Sequence, residues 1–310
     1  MLDKQNWQRA LLMSLTMLLA ACGGSSDNVS PGTIVVEVPG EGGGDLTDTD
    51  GDGVPDVNDE CPGTPAGEFV NADGCSESQL EPGGPPGGGT EIPSVIPDGL
   101  AGAITDSGRV SSAEFGSRPI FVIDVAELAD GVLDPEGLLV GNDIILEITG
   151  GALRVASGVL EMAPGSVLSG GSQFDFLIIE QGAQLDADGT AEQPIIFTAA
   201  TDVAGNAEAN DRGLWGGVVI NGFAPINDCP EGAEGGTAEC TKEGEANSGT
   251  FGGDDPEDNS GTLRYVQVRF AGSNVDPENQ LNGIAFQGVG SATTIEYVQV
   301  HNNLDDGIEF

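Results

Sequence analysis

Leu263-Arg264-Tyr265-Val266-Gln267-Val268-Arg269-Phe270 and, 32 residues further on, Ile295-Glu296-Tyr297-Val298-Gln299-Val300-His301-Asn302 are two copies of one phrase. A second phrase, Asn282-Gly283-Ile284-Ala285-Phe286, returns 24 residues later as Asp306-Gly307-Ile308-Glu309-Phe310. Two kinds of strand thus recur in the same order, as expected when each turn of a coil contributes one of each and stacks on the last. Alternation along the second phrase puts Ile284 with Phe286, and Ile308 with Phe310, on one face, which is assigned to the core.

Outward from these phrases the pattern holds. Short apolar runs such as Ile120-Phe-Val-Ile-Asp-Val125, Asp143-Ile-Ile-Leu-Glu-Ile148, Phe176-Leu-Ile-Ile179, Pro194-Ile-Ile-Phe-Thr198 and Gly217-Val-Val-Ile220 are separated by Gly, Asn and Asp. Their length and β-branched content make them strands, and the gaps leave no room for crossover helices. The rung length fits an all-β, right-handed parallel β-helix over residues 98–310, with an up-and-down barrel or sandwich as the rival. Gly165-Ser-Val-Leu168 and the run from Glu180 through Gly189 to Thr198 resemble the strand, Gly turn, strand phrases of bacterial surface β-helices. Gly213-Leu-Trp215-Gly-Gly-Val-Val-Ile-Asn221-Gly and Asp305-Asp306-Gly-Ile-Glu-Phe310 resemble β-helix lipoproteins of bacteria, a likeness that implies a fold and no mechanism. Residues 226–261 interrupt the pattern with a long acidic stretch, expected to be an insertion projecting from one rung. The sequence stops in mid-phrase at Phe310, and further rungs or a cap are expected to follow.

Composition narrows the function. The 310 residues hold 51 Asp+Glu against 9 Lys+Arg, a formal charge of -42, which excludes a nucleic-acid binder because nothing neutralises phosphates. The 50 Gly and 18 Pro, with 5% aromatics, argue against a helical bundle. Lys4 and Arg9 flank the start, and the apolar run from Ala10 to Leu19 is too short for a bilayer, so residues 1–21 form a signal peptide. Leu19-Ala20-Ala21-Cys22 resembles a bacterial lipobox. That resemblance implies a lipid on Cys22 and a membrane anchor, and Gly23 in place of Asp implies sorting to the outer membrane, on its periplasmic or cell-surface face. Residues 22–44 are a Gly/Ser-rich tether spanning on the order of 25 Å as a flexible coil, and residues 77–97 are a Pro/Gly linker. With Cys22 assigned to lipid, four cysteines remain as two sequence-local pairs, Cys61 with Cys75 and Cys229 with Cys240, expected to be disulfides. Zinc ligation is the alternative, but neither pair has CxxC spacing and the single His is distant.

Between the linkers lies Asp48-Thr49-Asp50-Gly51-Asp52-Gly53-Val54-Pro55-Asp56-Val57-Asn58-Asp59. Acids at positions 1, 3, 5, 9 and 12, with Gly at 6, form the oxygen-rich loop that a hard cation needs. Asp48, Asp50, Asp52, Asp56 and Asp59 with the Val54 carbonyl are the candidate calcium ligands. Asp59 is shorter than the Glu of an EF-hand, and no flanking helices are evident. Followed by Cys61-Pro62 and Asp73-Gly74-Cys75, residues 45–76 resemble a thrombospondin type 3 repeat, which implies bound calcium, a Cys61–Cys75 bridge and a stiff spacer.

The sequence therefore reads as a calcium-binding, lipid-anchored surface protein whose β-helix binds glycan or protein in adhesion. The alternative is a polysaccharide lyase or hydrolase on a pectate-lyase-like β-helix, for which His301, Asp305 and Asp306, with Arg264 and Arg269 nearby in sequence, are the weak catalytic candidates; strand neighbours point to opposite faces, so these groups need not converge. GxSxG, HExxH, Walker and dinucleotide motifs are absent from the sequence. Five carboxylates within one short loop repel one another without a cation. Calorimetric titration of calcium is expected to give a dissociation constant of about 0.1 to 1 mM, with protection of residues 45–76 from protease; no heat and no protection would refute the site.

Overall fold

The structure, a computed structural model, describes residues 47–50, 54–56, 63, 90–276 and 279–310. The described residues lie in one compact unit, Asp45–Phe310. Cys22, Cys61, Cys75, Asp52 and Asp59 lie outside the described residues.

The chain forms the parallel β-helix its repeats imply. Strand β1 (Ile104–Val110) precedes the coil, whose first turn runs β2 (Pro119–Asp124), β3 (Val132–Leu133) and β4 (Leu139–Val140). The second is β5 (Ile145–Thr149), β6 (Ala152–Val155) and β7 (Val159–Met162); the third is β8 (Val167–Gly170), β9 (Phe176–Ile179) and β10 (Gln184–Asp188). The fourth runs β11 (Ile195–Ala199), a single helical turn α1 (Ala200–Val203) and β12 (Gly217–Asn221), then the insertion with β13 (Lys242–Glu243) and β14 (Thr250–Phe251). It closes on the long strand β15 (Gly261–Arg269). After a small antiparallel pair, β16 (Asn274–Asp276) and β17 (Asn279–Gln280), come β18 (Ile284–Gln287), β19 (Thr294–His301) and β20 (Ile308–Glu309).

These strands make three faces. Face one stacks β4, β7, β10 and the first half of β15; face two stacks β2, β5, β8, β11 and the second half of β15. Face three stacks β3, β6, β9, β12, β18 and β20. The strand β15 belongs to two faces because it bends at Tyr265, whose φ of 49° is left-handed, and β19 repeats the bend at Tyr297 with φ 54°. Such a backbone is costly for a bulky residue. The two rings stack at 4.5 Å and 8°, which offsets part of that cost. The 32-residue echo is the register itself: Val266 pairs with Val298 and Gln267 with Gln299, while Ile284 pairs with Ile308 across the 24-residue echo.

Inward positions form columns. Leu153, Leu177, Val218 and Ile284 are successive register partners, as are Leu146, Leu168, Phe197 and Val268, and all eight are buried. Trp215 is fully enclosed at the corner after face two and donates from Nε1 to the Arg269 carbonyl at 2.8 Å. Its ring passes so close to Gly170 that a Cβ there would stand 2.7 Å from the Trp215 Cβ, which is why a glycine ends β8. Ile284 and Phe286 are core residues as expected, whereas Ile308 and Phe310 are 39% and 87% exposed. They keep the predicted column, with the Phe286 and Phe310 rings 5.5 Å apart, but on the last rung no further strand of this sequence covers them.

Two of the three faces are covered at the near end of the coil. β1 pairs antiparallel with β2, and a Val95–Leu139 bridge lays the preceding segment along β4, so the edge amides are occupied. Faces two and three also carry outer apolar clusters. Phe115, Ile120, Ile145, Val167 and Val203 pack outside face two, and Phe176, Ile178, Val219, Leu281 and Ala285 outside face three. Phe197 is buried from every side, so Phe197→Ala is expected to cost about 3–5 kcal/mol. Denaturant unfolding followed by circular dichroism reads it; an unchanged midpoint would mean that the columns do not carry the stability.

Candidate functional site

The insertion between β12 and β15 is held at its neck by the Cys229–Cys240 disulfide, with Cα atoms 4.7 Å apart. Cys240 is fully buried, and its Sγ lies 3.6 Å from the Ile226 carbonyl within the arm. The crosslink draws Asp228 and Lys242 together as an ion pair at the rim. β13 and β14 then form a short antiparallel hairpin, Lys242 opposite Phe251. The stretch that looked aperiodic is therefore a folded arm.

Between this arm and the coil lies a groove of about 780 Å³. Ile226, Asn227, Asp228, Lys242 and Phe251 line the arm side; Phe286, Val289, Ile295, Glu309 and Phe310 line the coil side. An apolar floor with a few charged groups on its walls is the composition of a ligand site. Burial raises the Glu309 carboxyl above its ordinary range, and the Glu245 charge adds to this, while the hydrogen bond from Asn282 opposes it. Nothing in sequence order announced this groove, although the two cysteines flanking its rim pair were the available signal.

Face one points a different chemistry outward. Glu161 and Asp186 are register partners, and Asp188 follows two residues on. Partial burial raises the Asp186 pKa, and the charges of Asp188 and Glu161 raise it further. Arg264 answers part of this excess, with Nη1 3.0 Å from Asp188 Oδ1 and Nε 3.1 Å from Glu296 Oε2.

The sequence-predicted catalytic candidates lie on different elements. His301 ends β19, opposite Arg269 in register and edge-on to the Phe270 ring at 5.9 Å. Asp305 and Asp306 sit in the following turn, where their carbonyls accept from Asn303 Nδ2 at 3.2 and 2.6 Å and the Asp306 carbonyl also accepts from Gly283 N. Their backbone closes a rung. Arg264 lies on face one and Arg269 on face two, so the two do not share a surface.

Of the calcium candidates, Asp48, Asp50, Val54 and Asp56 are described. Asp56 Oδ1 accepts from Thr49 N at 2.8 Å and Oδ2 from Thr49 Oγ1 at 2.7 Å, while Asp56 N donates to the Thr47 carbonyl at 2.8 Å. Asp50 Oδ2 accepts from Gly63 N at 2.6 Å. The chain doubles back over this stretch, and its hard oxygen donors suit calcium in type. Among the described residues, which do not include Asp52 and Asp59, no three His, Cys, Asp or Glu side chains come together as a metal site.

The geometry is that of a solenoid of parallel strands with a folded arm clasping a groove. Residues 138–310 match the family model of the pectate-lyase-like beta helix domain. The match spans more than half of the chain, and the protein belongs to that family. Searches of the curated proteins and of the solved structures each find no match.

Because Asp186 holds its proton more tightly folded than unfolded, stability from this group is present below the ordinary value of 3.8 and is lost as pH rises through the raised folded value. Asp186→Asn is therefore expected to raise the thermal midpoint at about pH 7 and to lose that advantage at about pH 3. Scanning calorimetry at both pH values checks this; equal midpoints at neutral pH would show that the acids of face one do not strain the coil.

Proposed function

We propose that this member of the pectate-lyase-like β-helix family is a calcium-binding, lipid-anchored surface protein whose coil binds glycan or protein. In this reading Cys22 carries the lipid. Asp48, Asp50, Asp52, Asp56 and Asp59 with the Val54 carbonyl hold calcium and stiffen the spacer. The arm groove engages the ligand. The observation that supports binding is the groove itself: a disulfide-fixed arm, a floor built from Phe286 and Phe251, and one ion pair at the rim. The partly exposed Phe251 ring is the face that receives a sugar ring or an apolar side chain, over the buried Phe286, while Asp228, Lys242 and Glu309 supply direction. The charge of -42 turns away polyanions and leaves neutral or cationic ligands.

The experiment is a glycan and peptide array probed with the whole protein, with Phe251→Ala and Lys242→Glu as variants. Retention without turnover, weakened about tenfold or more by each substitution at an unchanged thermal midpoint, is the expected result. New reducing ends or unsaturated sugar products would establish the lyase or hydrolase alternative, and retention indifferent to both substitutions would remove the groove from the function.

A further inference from the structure

Arg118 is a buried cation without a contacting anion. It stands just before β2, and the residue is 6% exposed. Its Nε donates to the Phe115 carbonyl at 2.7 Å, and Nη1 donates to the carbonyls of Asn142 and Gly165 at 3.0 and 2.9 Å. Those carbonyls open three successive turns of the coil, so one half of the guanidinium is a structural staple. The other half is not used: Nη2 has no hydrogen-bond partner among the described residues, and none of their carboxylates pairs with Arg118. In a chain with 51 acids and 9 bases this is unusual. Arg109, Arg154 and Arg264 each hold a carboxylate at 2.8–3.0 Å. Burial lowers the Arg118 pKa to about 10, with the Asp143 charge pulling the other way. A charge withdrawn from water needs a partner or pays in stability.

The guanidinium borders a cavity of about 330 Å³ on the outside of face two, also lined by Phe115, Glu192, Ile196, Glu114 and a second arginine, Arg269. Arg269 is ion-paired, but only at distances longer than a hydrogen bond. Its Nε and Nη2 bond the Gln267 Oε1 at 3.1 and 2.7 Å, which fixes the plane, while Nη1 stands 3.6 Å from Glu114 Oε1 and 3.7 Å from Asp202 Oδ2. The same guanidinium lies 5.9 Å above the Phe115 ring centroid. Two arginines held in orientation by other groups, each with donor capacity left, thus border one small cavity.

We infer that the cavity between Arg118 and Arg269 binds a single small oxyanion, a carboxylate or a phosphate group. Planar guanidinium forks match such groups with paired N–H···O bonds. The volume is at the small end of ligand sites. Glu114 and Glu192 at the margin oppose a multiply charged ligand and accept from any hydroxyl it carries. The site is separate from the arm groove, and its success or failure is independent of ligand binding there.

The test is isothermal titration of the whole protein with acetate, with inorganic phosphate and with chloride at matched ionic strength. Saturable heat with acetate or phosphate and none with chloride is expected, and the stronger of the two names the headgroup. Arg269→Gln is expected to weaken binding about tenfold or more in protein whose circular dichroism shows it still folded, since a guanidinium fork is lost from the cavity wall. Glu114→Gln, which relieves repulsion, is expected to tighten binding several-fold, a gain that a purely structural role for these side chains does not give. Heat that chloride reproduces, or binding indifferent to both substitutions, overturns the inference.

Discussion

The structure depends on one constraint, that each inward side chain must lie on the residue of like shape one turn before it. Parallel pairing brings register partners to neighbouring strand positions, and the columns through Leu153 and Leu146 show apolar side chains repeated at each level. Burial of this kind is worth about 25 cal/mol per Å² of apolar surface, and in a coil it is collected turn by turn rather than in one central core. The corners follow from it. Tyr265 and Tyr297 tolerate left-handed backbone because each ring finds the other directly above or below. Phe270 and Asn302 occupy the next corner in the same manner, with φ of 56° and 55°.

The constraint also explains which parts of the fold were legible. Repeats are readable where neighbouring turns have kept both length and identity, and that holds for the pairs Val266 with Val298 and Ile284 with Ile308. Earlier turns are less regular. Ile120 pairs with Ile145, Ile145 with Val167, Val167 with Ile196 and Ile195 with Val266, so the spacing changes at every step. Individual strands remained visible through their β-branched content, while their stacking order did not. The apolar layers outside faces two and three were illegible for a related reason. A strand covered on both sides, such as Phe176–Ile179, loses the alternation that distinguishes inside from outside.

Sites were harder to read than strands. The disulfide-pinned arm could be anticipated from Cys229 and Cys240, but the groove beside it arises from how the arm packs on β18 and β20, which no local pattern encodes. His301, Asp305 and Asp306 lie close in sequence, yet His301 ends a strand while Asp305 and Asp306 lend their carbonyls to the turn that follows. Arg118 had no motif at all. Its meaning lies in what it fails to contact, and that is a property of the assembled coil. Charge partition is the remaining theme: acids face outward on face one and along the arm, and the few cations are placed where strands or cavities require them.

The arm enters and leaves the coil at one corner without disturbing the stack, since Leu185 and Gly261 pair normally although the whole insertion lies between their turns. Closing a longer excursion costs only about 0.6 kcal/mol for each doubling of its length. Recognition and scaffold are therefore uncoupled: descendants of this gene could exchange, lengthen or shed the arm while inheriting an intact stack, making that corner a natural port for grafting new specificities.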